Sequence, residues 1–189
     1  MFKLKIIVAS TRPGRKGPAI AAWMEEIARE HPSFEVSMLD LKEINLPFLD
    51  EPHHPRLQKY QQEHTKKWSS TIAEADAFIF VTAEYNYGYP AALKNALDFL
   101  FVEWNYKPVA FVSYGGIAGG TRSVQQLKQV VTAQKMMPIA ESVNIPFFTK
   151  YIDDQEKFNG DELQQKAADD MMKELAKWTE ALKPMRKQV

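Results

Sequence analysis

Five apolar runs, each handing on to a segment of helical period, constrain the fold of this 189-residue chain more than any other feature. Residues 3–9 are nearly unbroken in Leu4, Ile6, Ile7 and Val8, as a strand covered on both faces requires. Residues 34–38 instead alternate Phe34, Val36 and Met38 with polar neighbours, the pattern of a strand half open to solvent at a sheet edge. Residues 77–82 and 108–113 are again continuous apolar strands. Residues 137–145 form a fifth, interrupted by Glu141.

The intervening segments change period. Ile20, Trp23, Met24, Ile27 and Ala28 recur at three- and four-residue spacing, which lays them on one helical face. The same spacing predicts helices through Leu57, Tyr60, His64, Trp68, Ile72 and Ala75, and through Leu93, Ala96, Leu97, Leu100 and Phe101 with Pro90 at the start. A fourth carries Val124, Leu127, Val130 and Val131, capped by Thr121 or Ser123. A last one carries Leu163, Ala167, Met171, Leu175, Trp178 and Leu182, capped by Asp161.

Strands alternating with helices specify an α/β fold, a parallel sheet with helices on both faces joined by right-handed crossovers. Length predicts a single domain over residues 1–189. Five strands without a sixth βα unit favour the flavodoxin-like order 2-1-3-4-5 over the longer Rossmann order, and that order puts the alternating second strand at an edge. There is no cysteine, so thiolate nucleophiles and disulfide frameworks are excluded, and a reducing compartment fits. Lys plus Arg equals Asp plus Glu at 24 each, which gives no basic surface for nucleic acid. No apolar run approaches the roughly 20 residues that span a bilayer. A cytoplasmic protein is expected.

In such sheets the ligand lies where strands end and their order reverses. Three unusual loops fall on that rim. The first, residues 10–17, brings Ser10, Thr11, Arg12, Arg15, Lys16 and Gly17 to a helix N-terminus, where hydroxyls, cations and free amides suit a phosphate dianion. It matches neither the dinucleotide glycine fingerprint nor the P-loop; a solvated basic turn capped by Ser10 or Thr11 is the alternative. The second, residues 82–90, crowds Tyr85, Tyr87 and Tyr89 around Asn86 beside Ala83 and Glu84. Aromatics this dense suit a planar ring, and the amide of Asn86 offers the donor and acceptor that a flavin's edge alternates. The alternative for the tyrosines is surface or interface packing. The third, residues 113–120, runs Ser113, Tyr114, Gly115 and Gly116 into a second glycine pair, which allows main-chain amides to approach a ligand closely; a flexible turn is the alternative.

The runs Ser10-Thr11-Arg12-Pro13-Gly14-Arg15, Ala83-Glu84-Tyr85-Asn86-Tyr87-Gly88-Tyr89-Pro90 and on to Asp98, and Ser113-Tyr114-Gly115-Gly116 resemble the NAD(P)H-dependent FMN reductase family, which includes quinone, azo-dye and chromate reductases. The middle motif is the specific one, although Ala83 stands where the family often has proline. The resemblance covers about the first three quarters of the chain. It implies non-covalent FMN, NADPH or NADH as donor, and ping-pong hydride transfer to a quinone, azo compound, metal ion or free flavin. It also implies a homodimer or homotetramer. On its terms Ser10, Arg12, Arg15 and Gly17 hold the phosphate, Glu84, Tyr85, Asn86 and Tyr87 contact the isoalloxazine, and residues 113–116 its other edge. Lys16 joins the phosphate set on its charge and location, not on the resemblance. No side chain is required as a nucleophile, because the flavin carries the chemistry. The histidines His53, His54 and His64 lack a recognised metal-ligand spacing. Trp104, Asn105 and Tyr106, after the helix that follows the tyrosine loop, are expected as a satellite core or a subunit interface. An electron carrier of flavodoxin type, or a flavin-free binding module on the same fold, is the alternative function.

Overall fold

The computed structural model describes residues 1–188. Five parallel strands, β1 (Phe2–Val8), β2 (Phe34–Asp40), β3 (Ala77–Ala83), β4 (Pro108–Gly115) and β5 (Met137–Pro146), form one sheet in the order β2-β1-β3-β4-β5. The flavodoxin-like order expected from the sequence is the one observed, with the alternating β2 at an edge. β5, the other edge strand, is irregular where Glu141 interrupts its pattern: its register against β4 shifts between the Val109 and Phe111 pairings.

The strands distribute their side chains by parity, and this decides how each face is covered. On one face stand Leu4, Ile6 and Val8 of β1, Ile79 and Val81 of β3, and Ala110 and Val112 of β4. Helices α1 (Gly17–Glu30) and α6 (Glu162–Leu182) pack there through Ile20, Met24, Met171 and Leu175. The opposite face carries Phe78, Phe80 and Phe111, covered by α3 (Glu63–Ala73), α4 (Ala91–Asp98) and α5 (Thr121–Ala133) through Trp68, Ile72, Leu97 and Leu127. Trp104 packs against two of these phenylalanines, 5.0 Å from the Phe78 ring and 6.4 Å from the Phe80 ring, and lies 6.1 Å from the Trp68 ring. It is fully buried within the main cluster on this face, so its place is in that core and not in a satellite core or at a subunit interface.

Several boundaries differ from the periodicity. The predicted helix through Leu57 begins only at Glu63; residues 55–57 are a single 3-10 turn with Leu57 exposed, and the Tyr60 hydroxyl donates to the buried carboxylate of Glu103. The long stretch after β2 contains a short helix, α2 (Leu41–Ile44), capped by Asp40. α4 ends at Asp98, three residues short of Phe101. Leu163 faces solvent, and the α6 stripe runs instead through Gln164, Ala168, Met171, Met172, Leu175 and Thr179. Asp161 does cap α6, in a reciprocal capping box with Gln164. Neither Thr121 nor Ser123 caps α5: Gly120 holds the N-cap position at φ 81°, where a Cβ would meet the Tyr114 nitrogen at 2.8 Å.

Register places the rim. Val8 pairs with Asp40 on one side and Val81 on the other, and Val81 pairs with Val112. The loops after β1, β3 and β4 therefore leave the sheet at one level. The first is tied to the edge strand by Arg15, whose two terminal nitrogens meet the two Asp40 carboxylate oxygens at 2.5 and 2.6 Å, while Nη1 also donates to the Ser10 carbonyl at 2.6 Å. Burial pushes the Asp40 carboxyl up, but the Arg15 hydrogen bonds and charge outweigh it and hold the carboxyl below the ordinary aspartate value. The pair is partly buried, the side chains 10% and 20% exposed, so breaking it falls short of the ~3–5 kcal/mol of a fully buried pair. Asp40→Asn, which keeps the α2 cap acceptor, should destabilise by about 2 kcal/mol and lower Tm by about 4–8 °C at pH 7. A carboxyl with a depressed pKa stabilises above its unfolded value and loses that contribution as pH falls through the folded one. The Tm gap between wild type and variant should therefore close in acid, which thermal melts from pH 7 to pH 2.5 would read; a gap independent of pH would mean that charge has no part in it.

Candidate functional site

The three loops meet at the carboxyl end of the sheet, as their register requires. The tyrosine loop is a tight hairpin: Tyr85 N donates to the Gly88 carbonyl at 2.8 Å and Gly88 N returns to the Tyr85 carbonyl at 3.0 Å. Its two central residues, Asn86 and Tyr87, have φ of 51° and 71°. Asparagine tolerates that region through its short polar side chain, whereas a tyrosine there is strained, and such strain concentrates where a backbone is held for a task. The turn leaves Tyr85, Asn86 and Tyr87 exposed at the rim. Tyr89 is packed against the core below, and Pro90 occupies the N-cap of α4.

The phosphate-type loop shows two layers. On top, Arg12 is exposed and lies 6.0 Å from the centroid of the Tyr85 ring, and Thr11 is half-buried. Below, Ser10 is fully buried and its hydroxyl accepts from the Tyr114 hydroxyl at 3.1 Å. Gly17 begins α1 directly above that contact; a Cβ there would stand 2.6 Å from Ser10 Oγ and 2.7 Å from Tyr114 Oη. The α1 N-terminus has no side-chain cap and no acidic residue in its first turn, so its amides and positive end are open to an anion. Arg15 is committed to Asp40. Lys16 directs Nζ to Glu156 at 2.5 Å, which ties the loop to the turn after β5. In this arrangement both cations brace the loop, and Arg12 is the one that remains without an ion pair among the described residues.

The glycine loop likewise separates into roles. Ser113 is fully buried, its Oγ 2.8 Å from the Gly119 carbonyl and 2.9 Å from Asn144 Oδ1. Tyr114 is buried as well, edge-on to Phe148 at 5.1 Å, and burial pushes its hydroxyl up to about 12. Ala83 is buried and its carbonyl accepts from Ser123 Oγ. These residues, with Ser10, lie beneath the rim as its support, because protein partners already hold their polar atoms. Gly116 is the exposed member: a Cβ there would meet nothing within 4 Å, which leaves open space beside its backbone.

Glu84 does something that the sequence does not announce. Its carboxylate accepts from the backbone nitrogen of Arg122 at 3.2 Å and from Arg122 Nη1 at 3.1 Å. It thereby caps α5, whose own N-cap is a glycine, and locks the tyrosine hairpin to the glycine loop. Three rim residues escaped the sequence reading: Arg122, Ile117 and Phe147. Ile117 is 77% and Phe147 53% exposed, and Phe147 N donates to the Gly116 carbonyl at 3.1 Å. Exposed apolar residues next to a glycine loop are a signal, but only the sheet order shows that Phe147, more than 25 positions further on, belongs beside Gly116.

The arrangement suits a phosphorylated planar cofactor. An open helix N-terminus with Thr11 and Arg12 matches a phosphate; the exposed tyrosines, the Asn86 amide and the open backbone at Gly116 match a flat, hydrogen-bonding ring. Comparison with known proteins points the same way. Residues 2–150 match the profile described as NADPH-dependent FMN reductase. An NAD(P)H-dependent FMN reductase of Schizosaccharomyces pombe is 45% identical over 148 residues, 76% of this chain and 74% of that protein. One of Saccharomyces cerevisiae is 36% identical over 160 residues, 78% of this chain and 83% of that protein. Among solved structures, the flavoenzyme NAD(P)H:(acceptor) oxidoreductase of Paracoccus denitrificans superposes with a TM-score of 0.76 at 20% identity, covering 96% of this chain and 99% of that one, a likeness of fold. The chain belongs to the NADPH-dependent FMN reductase family.

Proposed function

We propose that the chain is an NAD(P)H-dependent oxidoreductase that holds FMN non-covalently on this rim and passes reducing equivalents to a small-molecule acceptor such as a quinone, azo compound, metal ion or free flavin. The observation that carries the reading is the pairing of an uncapped α1 N-terminus beside Arg12 with an exposed, strained tyrosine–asparagine hairpin one strand away. Thr11, Arg12 and the first amides of α1 would hold the phosphate; Tyr85, Asn86, Tyr87 and Gly116 would contact the ring. Bound FMN supplies the hydride chemistry. The protein's part is orientation: the hairpin fixes the ring's edge, Glu84 and Tyr114 hold the flanking loops at a set spacing, and Arg15 and Lys16 keep the phosphate loop from collapsing away. Donor and acceptor would use one open face in turn, which suits broad acceptor range. A cytoplasmic setting agrees with a cysteine-free chain in which no described helix is long and apolar enough to cross a membrane.

The reading includes assembly as a homodimer or homotetramer. Its support is Phe48, 87% exposed although its loop is held rigidly to α4: Asn95 Nδ2 donates to the Pro47 carbonyl at 2.7 Å and Leu49 N donates to Asn95 Oδ1 at 3.0 Å. An ordered, projecting aromatic is the kind of group an interface buries. Light scattering at micromolar concentration should give a multiple of 21.7 kDa, and a monomer would remove this part of the reading.

The cofactor assignment is tested by the visible spectrum and by turnover. Purified protein reconstituted with FMN should be yellow and should oxidise NADPH or NADH with a quinone. Tight FMN binding without turnover would favour an electron carrier, and a protein that takes up no FMN would favour a flavin-free module. Arg12→Ala should weaken FMN retention by about tenfold, as expected for loss of one charge-assisted phosphate contact, while the fully loaded variant keeps most of its kcat. Unchanged FMN affinity with lost turnover would refute the phosphate assignment.

A further inference from the structure

The rim carries a second guanidinium that the flavin reading leaves without a task. Arg122 is the second residue of α5, on the glycine-loop side of the tyrosine hairpin, whereas Arg12 lies on the phosphate-loop side. Its Cζ sits 4.2 Å from the centroid of the Tyr87 ring, and Tyr87 is 61% exposed. Only Nη1 has a protein partner, the Glu84 carboxylate at 3.1 Å; Nε and Nη2 have none among the described residues. The arginine side chain is itself 42% exposed.

This geometry differs from that of a simple surface ion pair. Stacking on an aromatic face fixes the plane of the guanidinium and leaves its in-plane N–H groups pointing outward. Glu84 fixes one end of the fork, so little further ordering is required to present the other end, and that end matches a phosphate's geometry. A rim with one cation at the cofactor's phosphate and another at the far side of the hairpin suits two phosphorylated molecules lying side by side. The nicotinamide donor is the phosphorylated molecule that must reach this face. Arg15 and Lys16, already held by Asp40 and Glu156, are not placed to serve it.

We propose that Arg122, held over the Tyr87 ring and anchored by Glu84, is the phosphate-recognition residue for the nicotinamide dinucleotide donor. The inference rests on the functional reading above. Two groups of the donor share the required chemistry, the diphosphate bridge and the 2′-phosphate of NADPH, and the choice of donor separates them.

The test uses the FMN-loaded wild type, Arg122→Ala and Arg122→Lys. KM is measured for NADPH and NADH, and calorimetry measures the Kd of the unreactive NADP+ and NAD+. FMN affinity and acceptor KM are recorded in parallel. Arg122→Ala should raise donor KM and the Kd of the oxidised dinucleotide by about tenfold, with FMN affinity and acceptor KM within twofold of wild type. Arg122→Lys should recover part of the loss, because the charge remains while the planar fork is gone. A loss confined to NADPH and NADP+ assigns the 2′-phosphate; an equal loss for both dinucleotides assigns the diphosphate. Donor constants unchanged in Arg122→Ala would overturn the proposal, as would a fall in FMN affinity alone, which would make Arg122 merely a staple of the hairpin. A wild type that binds NADP+ but does not turn over NADPH would refute the functional reading and leave Arg122 to be judged by the same calorimetry; one that binds neither dinucleotide would overturn both.

Discussion

Covering both faces of a parallel sheet is the constraint from which the rest of this structure follows. Once α1 and α6 seal one face and α3, α4 and α5 the other, every residue of β3 and β4 is buried. Polar chemistry then has to sit at strand ends, where backbone groups leave the ladder and need new partners. Equal register across β1, β3 and β4 brings three such ends to one level. The site arises where the sheet stops and therefore inherits its rigidity.

Beneath the exposed rim lies a layer of buried polar contacts that few ligands would ever touch. The Tyr114 hydroxyl reaches Ser10, Ser113 stands between Gly119 and Asn144, and Ser123 reaches the Ala83 carbonyl. The first joins the end of β4 to the phosphate loop, the second ties β4 to its glycine loop and to β5, and the third ties α5 to the end of β3. Buried hydroxyls without partners would cost about 1–3 kcal/mol apiece, so these contacts hold as a set or fail as a set. Gly17 belongs to the same layer, because a Cβ would intrude on the Ser10–Tyr114 contact. The rim residues Arg12, Tyr85 and Asn86 are thereby mounted on a base that the sheet itself positions.

The sequence revealed the architecture more readily than the division of labour within the site. Strand order was legible because continuous and alternating apolar patterns report burial on two faces or one, and the edge position of β2 follows from that alone. The location of the three loops was legible for the same reason. What residue type could not show was which polar groups are exposed. Arg12 and Arg15 look equivalent as cations three positions apart, yet Arg15 is held by Asp40, which comes from a strand 25 positions away. Ser10 and Thr11 look equivalent as hydroxyls, yet only Thr11 reaches the surface. Trp104 follows a helix and reads as an exposed aromatic until Phe78 and Phe80 of the sheet are seen to pack against its ring. The Leu57 boundary failed because a helix-like spacing of apolar residues continued through a 3-10 turn and an irregular stretch whose Tyr60 is drawn to Glu103. Each of these differences comes from a long-range partner, which local pattern does not encode.

The hairpin at Asn86 and Tyr87 shows the same principle with a functional consequence. Two consecutive non-glycine residues at positive φ disfavour the turn by of order 1–3 kcal/mol for the less tolerant one. Asn-Gly would relieve that strain with no change in turn type. A tyrosine at the second position is worth its strain only if its ring has a use, and the ring does have a partner in Arg122. That arginine is in turn fixed by Glu84, three residues before Tyr87 in the chain. Strain, stacking and ion pair meet at one place and join the tyrosine hairpin to α5, while the hairpin's own backbone bonds between Tyr85 and Gly88 hold its turn independently. The local cost is thus offset by a rigid platform at the edge of the rim, where an incoming charged molecule would first meet the protein.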